Sequence, residues 1–418
     1  MKTVALVAFI TVYALLLLLP RGRWIAPVAA AALFVGVGIV PAGAAWEAVD
    51  WNVLMMLCGT MGTVDLFIRS KMPERLSDHL VNAIPSVKKL IIVLALFAGL
   101  VSAFVDNVAT VLMLAPVGIA IAKKLNISPV EPIIAIAVSS NLQGAATLVG
   151  DTTSLLLAGH LKMDFLDFFV YQGKPGMFWF VQIGALATVP VMMWLFRKNE
   201  GYVAPAQATV VALIAASFIP GRPAMTNGFI CMGIFLVGLL AECFLPKKVR
   251  EDEKRGWAAQ AAETLKAIDV GTLALLAGLF IVIDGLNRVG IIADISQALS
   301  HVGGGSPFLT YTIVVWASVA FSAFIDNIPY TAAMLPVMAG AAGTMGIDQT
   351  VLCFGLLVGA TLGGNLTPVG ASANIAATGI LEKEGYLVTP KQFMRIGVPF
   401  TLVAVLSGYV LVWVFYGM

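Results

Sequence analysis

Ser102-Ala103-Phe104-Val105-Asp106-Asn107-Val108 and Ser322-Ala323-Phe324-Ile325-Asp326-Asn327-Ile328 are two copies of one phrase. Both run on to a Pro-Val pair, Pro116-Val117 and Pro336-Val337. Each copy sets a carboxylate and an amide inside a long apolar stretch. A charged side chain at the centre of a bilayer costs at least about 2.5–3.5 kcal/mol, so an ionisable residue there marks a functional site by default. Two copies 220 residues apart in a chain of 418 predict two matching half-sites.

The repeat extends outward from the phrase. Asp50, Gly59, Asp65 and Arg69 match Asp269, Gly278, Asp284 and Arg288 at an offset of 219. Downstream, Gly144, Thr147, Val149, Gly150 and Gly159 match Gly364, Thr367, Val369, Gly370 and Gly379 at an offset of 220. Each copy reads as a helix, a polar surface segment, a helical hairpin bearing Asp-Asn, a Gly-rich interrupted helix and a closing helix. The first repeat is assigned to 1–200, with its hairpin at 90–122 and its broken helix at 130–160. Residues 201–266 begin the second repeat and run into a charged connector at 246–267. Residues 268–418 complete it, with a hairpin at 307–342 and a broken helix at 350–380.

The composition sets the solvent. Sixty per cent of residues are hydrophobic, 11% are charged and the mean hydropathy is +0.95, well outside the soluble range. The expected fold class is therefore an all-α polytopic membrane protein. Spanning takes about 20 apolar residues. Such windows fall at 4–20, 24–45, 52–68, 130–150, 177–196, 206–220, 224–245, 268–286, 350–370 and 396–416, which predicts about ten transmembrane helices besides the two hairpins. The first apolar run has only Lys2 before it and Arg21 and Arg23 after it, which reverses the charge order of a signal peptide. Positive charge collects on the cytoplasmic side. With both termini outside, all Lys and Arg except Lys2, Lys162, Lys174, Arg222 and Arg288 lie inside. In that topology the two repeats are inverted, the arrangement of secondary transporters with interrupted helices at the midplane. The expected location is the inner (plasma) membrane, with the lipid bilayer as a partner.

Other classes find little support. A net charge of +2 gives no reason to expect a nucleic-acid partner. Cys58, Cys231, Cys243 and Cys353 are scattered without metal-ligand spacing and read as packing residues. His79, His160 and His301 are equally isolated. No nucleophile–base constellation points to an enzyme. Asp65–Arg69 and Asp284–Arg288 have the i,i+4 spacing of helix-surface ion pairs.

Four stretches are candidates for a central site. Two are the hairpin tips, with Asp106 and Asn107 in one and Asp326 and Asn327 in the other. Two are the Gly-rich interruptions. The first holds Asn141, Gly144, Thr147, Gly150 and Asp151, and the second holds Gly364, Asn365, Thr367, Gly370, Ser372 and Asn374. Irregular backbone at membrane depth is tolerated only where it lines a cavity or is buried in protein. Its carbonyls, with Ser, Thr and Asn oxygens, suit a hard cation such as Na⁺, and its exposed helix N-termini suit an anion. Asp106 and Asp326 would equally serve as helix caps, and the glycines would equally permit close helix packing. Burial favours the protonated acid and a neighbouring cation favours the carboxylate. Three acids without a basic residue in these stretches therefore tilt the reading toward cations and protons, with Na⁺ at Asp106, Asn107, Asp326 and Asn327.

At Phe104-Val105-Asp106-Asn107, Val149-Gly150-Asp151-Thr152-Thr153, Phe324-Ile325-Asp326-Asn327-Ile328-Pro329 and the run from Gly364 to Asn374, the chain resembles the arsenite permease and sodium–proton antiporter family. That family lies in the ion transporter superfamily, with the melanosomal P protein and the divalent-anion/sodium symporters. The resemblance implies a homodimer with scaffold and transport domains working as an elevator. In the carboxylate symporters a Ser-Asn-Thr tip binds Na⁺ and substrate. Here those tips read Asp106-Asn107-Val108 and Asp326-Asn327-Ile328. The leading expectation is Na⁺/H⁺ antiport, with Na⁺ and/or H⁺ as coupling ions and no other cofactor. The alternatives are a permease for arsenite, antimonite or a carboxylate-like anion, and a passive ion channel.

Overall fold

The computed structural model describes residues 1–18, 24–55, 58–59, 86–124, 127–197, 232–233, 236, 268 and 270–417. The protein is an all-α polytopic membrane protein, apart from a two-stranded antiparallel ribbon, β1 (Val170–Tyr171) and β2 (Lys174–Pro175). Among the described residues, four helices are long and apolar enough to cross a membrane: Met177–Leu195, Val270–Arg288, Gln349–Leu366 and Pro390–Tyr416. The window at 206–220, most of those at 52–68 and 224–245, the connector 246–267 and the Asp65–Arg69 pair lie outside the described residues.

The chain forms two compact units, Met1–Ser70 with Arg222–Ala298, and Lys71–Gly221 with Leu299–Met418. Each draws segments from both halves of the sequence. The first unit holds α1 (Lys2–Leu18), α2 (Ile25–Gly36), α3 (Ala42–Ala48), α9 (Val270–Arg288) and most of α10 (Ile291–Val302). The apolar window 24–45 is not one helix. It stops at Gly36, turns through Gly38 (φ +78) and restarts after Pro41. Helix α9 packs on α2, with Gly285 against the fully buried Phe34 ring. The predicted surface pair is present, Arg288 Nε lying 2.6 Å from Asp284 Oδ2.

The second unit carries everything that positions the candidate site. It contains α4 (Val87–Ser102), α5 (Asn107–Lys124), α6 (Val130–Gly144), α7 (Thr152–Leu161), α8 (Met177–Leu195), α11 (Pro307–Ser322), α12 (Asn327–Met345), α13 (Gln349–Gly363), α14 (Ser372–Lys383) and α15 (Pro390–Tyr416). Local signals set the helix starts. Ser306 and Thr389 accept from the amides of Leu309 and Gln392 ahead of first-turn prolines, and Asp348 accepts from Thr350 N. The hairpins are α4–α5 and α11–α12. The interrupted helices are α6–α7 and α13–α14.

Both arms of each hairpin pack on the first half of the interrupted helix that follows, α4 and α5 on α6, α11 and α12 on α13. The repeats then interlock. Helix α7 packs on α12 and α13, and α14 packs on α5 and α6. One core of the unit is accordingly shared between repeats, with Leu94, Leu114 and Ile133 meeting Ala373, Ala377 and Leu381. At the unit's edge Lys123 Nζ sits 2.5 Å from Glu384 Oε2, tying the base of the first hairpin to the end of α14.

The α11–α13 seam depends on small residues, as close helix packing in lipid requires. A Cβ on Gly359 would stand 2.5 Å from Val315 O. Overpacking of this kind costs about 1–3 kcal/mol, so Gly359→Val should lower the thermal midpoint of the purified protein by several degrees. Gly343→Ala, on a helical face with nothing within 4 Å, should leave it unchanged. Equal midpoints in the two variants would contradict this packing.

Candidate functional site

The two half-sites are built in the same way. In the first, α4 ends at Ser102 and α6 ends at Gly144, so the last carbonyls of two half-helices converge. A Cβ on Gly150 would stand 2.7 Å from Gly144 O, 2.9 Å from Ser102 O and 3.0 Å from Ala103 O. In the second, a Cβ on Gly370 would meet Gly364 O at 2.6 Å, Ala323 O at 2.8 Å and Ser322 O at 2.9 Å. Only glycine lets the interruption pass this close to the carbonyl cluster. Thr147 and Thr367 donate to Ala103 O and Ala323 O, which pins each interruption to its hairpin tip. Ser154 Oγ and Asn374 Nδ2 donate to Gly144 O and Gly364 O at 3.1 and 3.0 Å. The Gly and Thr positions read from the repeat are thus brought together in both copies.

The tip asparagines are both buried and are used differently. Ser102 Oγ donates to Asn107 Oδ1 at 2.7 Å, and Ser140 Oγ donates to Asn107 O at 3.2 Å. Asn327 Nδ2 instead reaches the other repeat, donating to Asp151 Oδ2 at 3.3 Å. The tip aspartates cap. Asp106 Oδ1 accepts from the amides of Val108 and Ala109 at 3.0 and 3.2 Å, and Asp326 Oδ1 accepts from Ile328 N at 3.2 Å. Asp326 Oδ2 also accepts from Ser372 Oγ at 3.2 Å, bringing the second tip onto the second interruption. The capping reading of both aspartates is therefore correct.

Asp151 occupies the start of α7 with extended backbone, but its carboxylate makes no capping bond. It is buried, 6% exposed, and Oδ2 accepts from Thr153 Oγ1 at 2.8 Å as well as from Asn327. Asp106 and Asp326 both lie within electrostatic reach of it. Among the described residues, no basic side chain acts on Asp106 or Asp151.

A buried amide knot joins the halves. Asn141 Nδ2 donates to Asn365 Oδ1 at 2.7 Å and to Asn374 Oδ1 at 3.0 Å. Asn365 Nδ2 donates to Val138 O at 2.9 Å. Nearby, the Thr153 and Thr361 hydroxyls lie 3.0 Å apart. Sequence reasoning did not single out Ser102, Ser140, Thr153 or Thr361. Ser102 opens the repeated phrase itself, and Thr361 sits at the 220 offset from Asn141, so the repeat held a signal for both.

Chemically, each half-site offers carbonyls, hydroxyls and a carboxylate to a cation, beside a helix start. This is a membrane transporter, and it is not an enzyme. The chain matches the citrate transporter family over residues 13–359 and belongs to that family. The match keeps the chain in the ion transporter superfamily but is to citrate transporters, and it does not support the expected arsenite permease and sodium–proton antiporter assignment. Two uncharacterized transporters of Mycobacterium tuberculosis are similar. Rv2684 is 30% identical over 383 residues, covering 88% of this chain and 87% of its own, and Rv2685 is 28% identical over 437 residues, covering 100% and 99%. The human P protein is 27% identical over 454 residues, covering 87% of this chain and 53% of its own length. In fold, the chain is similar to the YdaH transporter of Alcanivorax borkumensis, with a TM-score of 0.56 at 15% identity, covering 92% of this chain and 88% of that one.

Gly150→Ala and Gly370→Ala should each abolish transport while leaving the protein in the membrane, because each methyl group collides with three carbonyl oxygens. Wild-type transport rates in either variant, measured in vesicles at matched expression, would show that this close approach is dispensable.

Proposed function

We propose that the protein is a secondary-active transporter that carries a small carboxylate together with a cation. The observation that carries this reading is the charge of the site: Asp106 and Asp326 both lie within electrostatic reach of the buried Asp151, and no basic side chain among the described residues acts on Asp106 or Asp151. A bare anion entering there meets only like charge. Two unit charges 4 Å apart interact with about 4 kcal/mol at an effective dielectric of 20, enough to exclude an unaccompanied carboxylate. The family supplies the substrate class, and the aspartates supply the need for a companion cation. Carbonyl oxygens at the two glycine cradles, with the aspartates, are the donors that a hard cation would use.

Two compact units, each assembled from both halves of the chain, support an elevator in which the unit holding both half-sites moves as one body. A homodimer, as the family resemblance implies, would supply the fixed frame. Arsenite is a weaker substrate reading, since arsenous acid is neutral near pH 7 and would leave the aspartates unbalanced. A passive channel is told apart by its flux, since alternating access predicts saturable flux instead of ohmic current.

Na⁺/H⁺ exchange stays as a second reading on one observation, the buried Asp151 carboxylate held by Asn327 of the other repeat. The two readings part in proteoliposomes. Uptake of labelled citrate should be saturable and should require an inward gradient of Na⁺, of H⁺, or of Mg²⁺, which a tricarboxylate chelates. Asp151→Asn should raise the half-saturating cation concentration about tenfold, the equivalent of ~1.4 kcal/mol. Sodium-driven proton movement at full rate without any carboxylate, and no citrate uptake under any gradient, would favour the exchanger and overturn the symport reading.

A further inference from the structure

We infer that the second unit holds a phospholipid in a groove between the β-ribbon, the start of α8 and the end of α15. The groove has a volume of about 440 Å³ and is lined by Phe169, Val170, Trp179, Ile183 and Phe415, with Lys174 as its one charged residue. A volume of this order suits part of a lipid-sized ligand. The apolar lining does not end at the groove. Trp179, Ile183 and Leu186, at 49, 46 and 66% exposed, continue it as a stripe along one face of α8, and Leu406, Val410 and Val414 stay exposed on α15.

The occupant is argued from charge and from position. Helix α8 has 19 residues, about 28 Å at 1.5 Å per residue, which matches a hydrocarbon core of roughly 30 Å. Lys174 on β2 precedes the helix and Arg197 follows it, each over an aromatic ring. Lys174 Nζ lies 5.3 Å from the Tyr416 ring centroid, and the Arg197 guanidinium 5.2 Å from that of Trp194. Cations and aromatic rings of this kind sit at the two membrane–water interfaces. The groove therefore lies at headgroup depth, with its stripe running down into the acyl region.

Lys174 is available to a phosphate. Among the described residues, no carboxylate lies within 4.0 Å of its ammonium. The Asp348 carboxylate lies within electrostatic reach of Lys174 but beyond ion-pair distance, and it accepts from Thr350 N at 2.7 Å and from Gln172 Nε2 at 3.4 Å. A lipid phosphate at Lys174 and an acyl chain against Trp179, Ile183 and Leu186 would use both parts of the surface at once. This inference does not depend on which substrate the transporter carries.

Native mass spectrometry of the full-length protein, released from mild detergent, tests it. Wild type should retain phospholipid adducts, and added phosphatidylglycerol should raise the thermal midpoint by a few degrees, whereas inorganic phosphate should not. Lys174→Glu should cut the lipid-bound fraction about tenfold, the loss expected for one charge-assisted contact. Ile183→Gln should weaken retention through the chain alone. The proposal is overturned if Lys174→Glu and Ile183→Gln retain lipid as wild type does. It is equally overturned if Ile183→Cys forms a disulfide between two copies in the membrane while wild type retains no lipid, since the face would then be a protein interface.

Discussion

A helix that stops inside a bilayer leaves carbonyls and amides that lipid cannot satisfy, and the second unit is arranged around that constraint. It contains two such stops, at Gly144 and at Gly363–Gly364. Each is placed against the end of a hairpin arm, so unsatisfied carbonyls from two chain segments face one another. Glycine at 150 and 370 brings a third segment within reach, and the Thr147 and Thr367 hydroxyls lock it there. The hydrogen bonds of Ser154 and Asn374 take up part of the remaining acceptor capacity. What is left is a concentrated set of partial negative charges in each half, which is the raw material of a cation site.

The skeleton is symmetric and the chemistry is not. Asp151, Thr153 and Ser154 of the first repeat align with Ala371, Ala373 and Asn374 of the second. The two helix starts share extended backbone, φ −148 at Asp151 and φ −141 at Ala371, yet only one carries a charge. Cross-repeat contacts follow the same pattern of matched place and different residue. Asn141 reaches Asn374, and Thr361, its counterpart, reaches Thr153. These contacts are fully buried, where an amide left without its partner costs about 1–3 kcal/mol. They make separation of the two half-sites expensive and favour their motion as one body.

Much of this was legible in the sequence, because duplication turns a weak signal into a strong one. A single Asp-Asn in an apolar run is ambiguous, but two copies followed by Pro116 and Pro336 read as a pair of hairpins. Both interruptions were equally clear from Gly144, Gly150, Gly364 and Gly370. Two things were hidden. Capping by Asp106 and Asp326 depends on local backbone geometry, which the residue type permits without dictating. The pairing of Asn327 with Asp151, and of Asn141 with Asn365 and Asn374, joins residues more than 170 positions apart, and no periodicity within one repeat reports on it.

In the proposed symport a carboxylate enters this acidic site only with a cation. Equilibrium binding to purified protein tests it without the complications of flux. Labelled Na⁺ should bind in the absence of any carboxylate, and labelled citrate should bind only when Na⁺ or another companion cation is present, its affinity rising with cation concentration. Citrate binding of unchanged affinity in cation-depleted buffer at neutral pH would contradict the account.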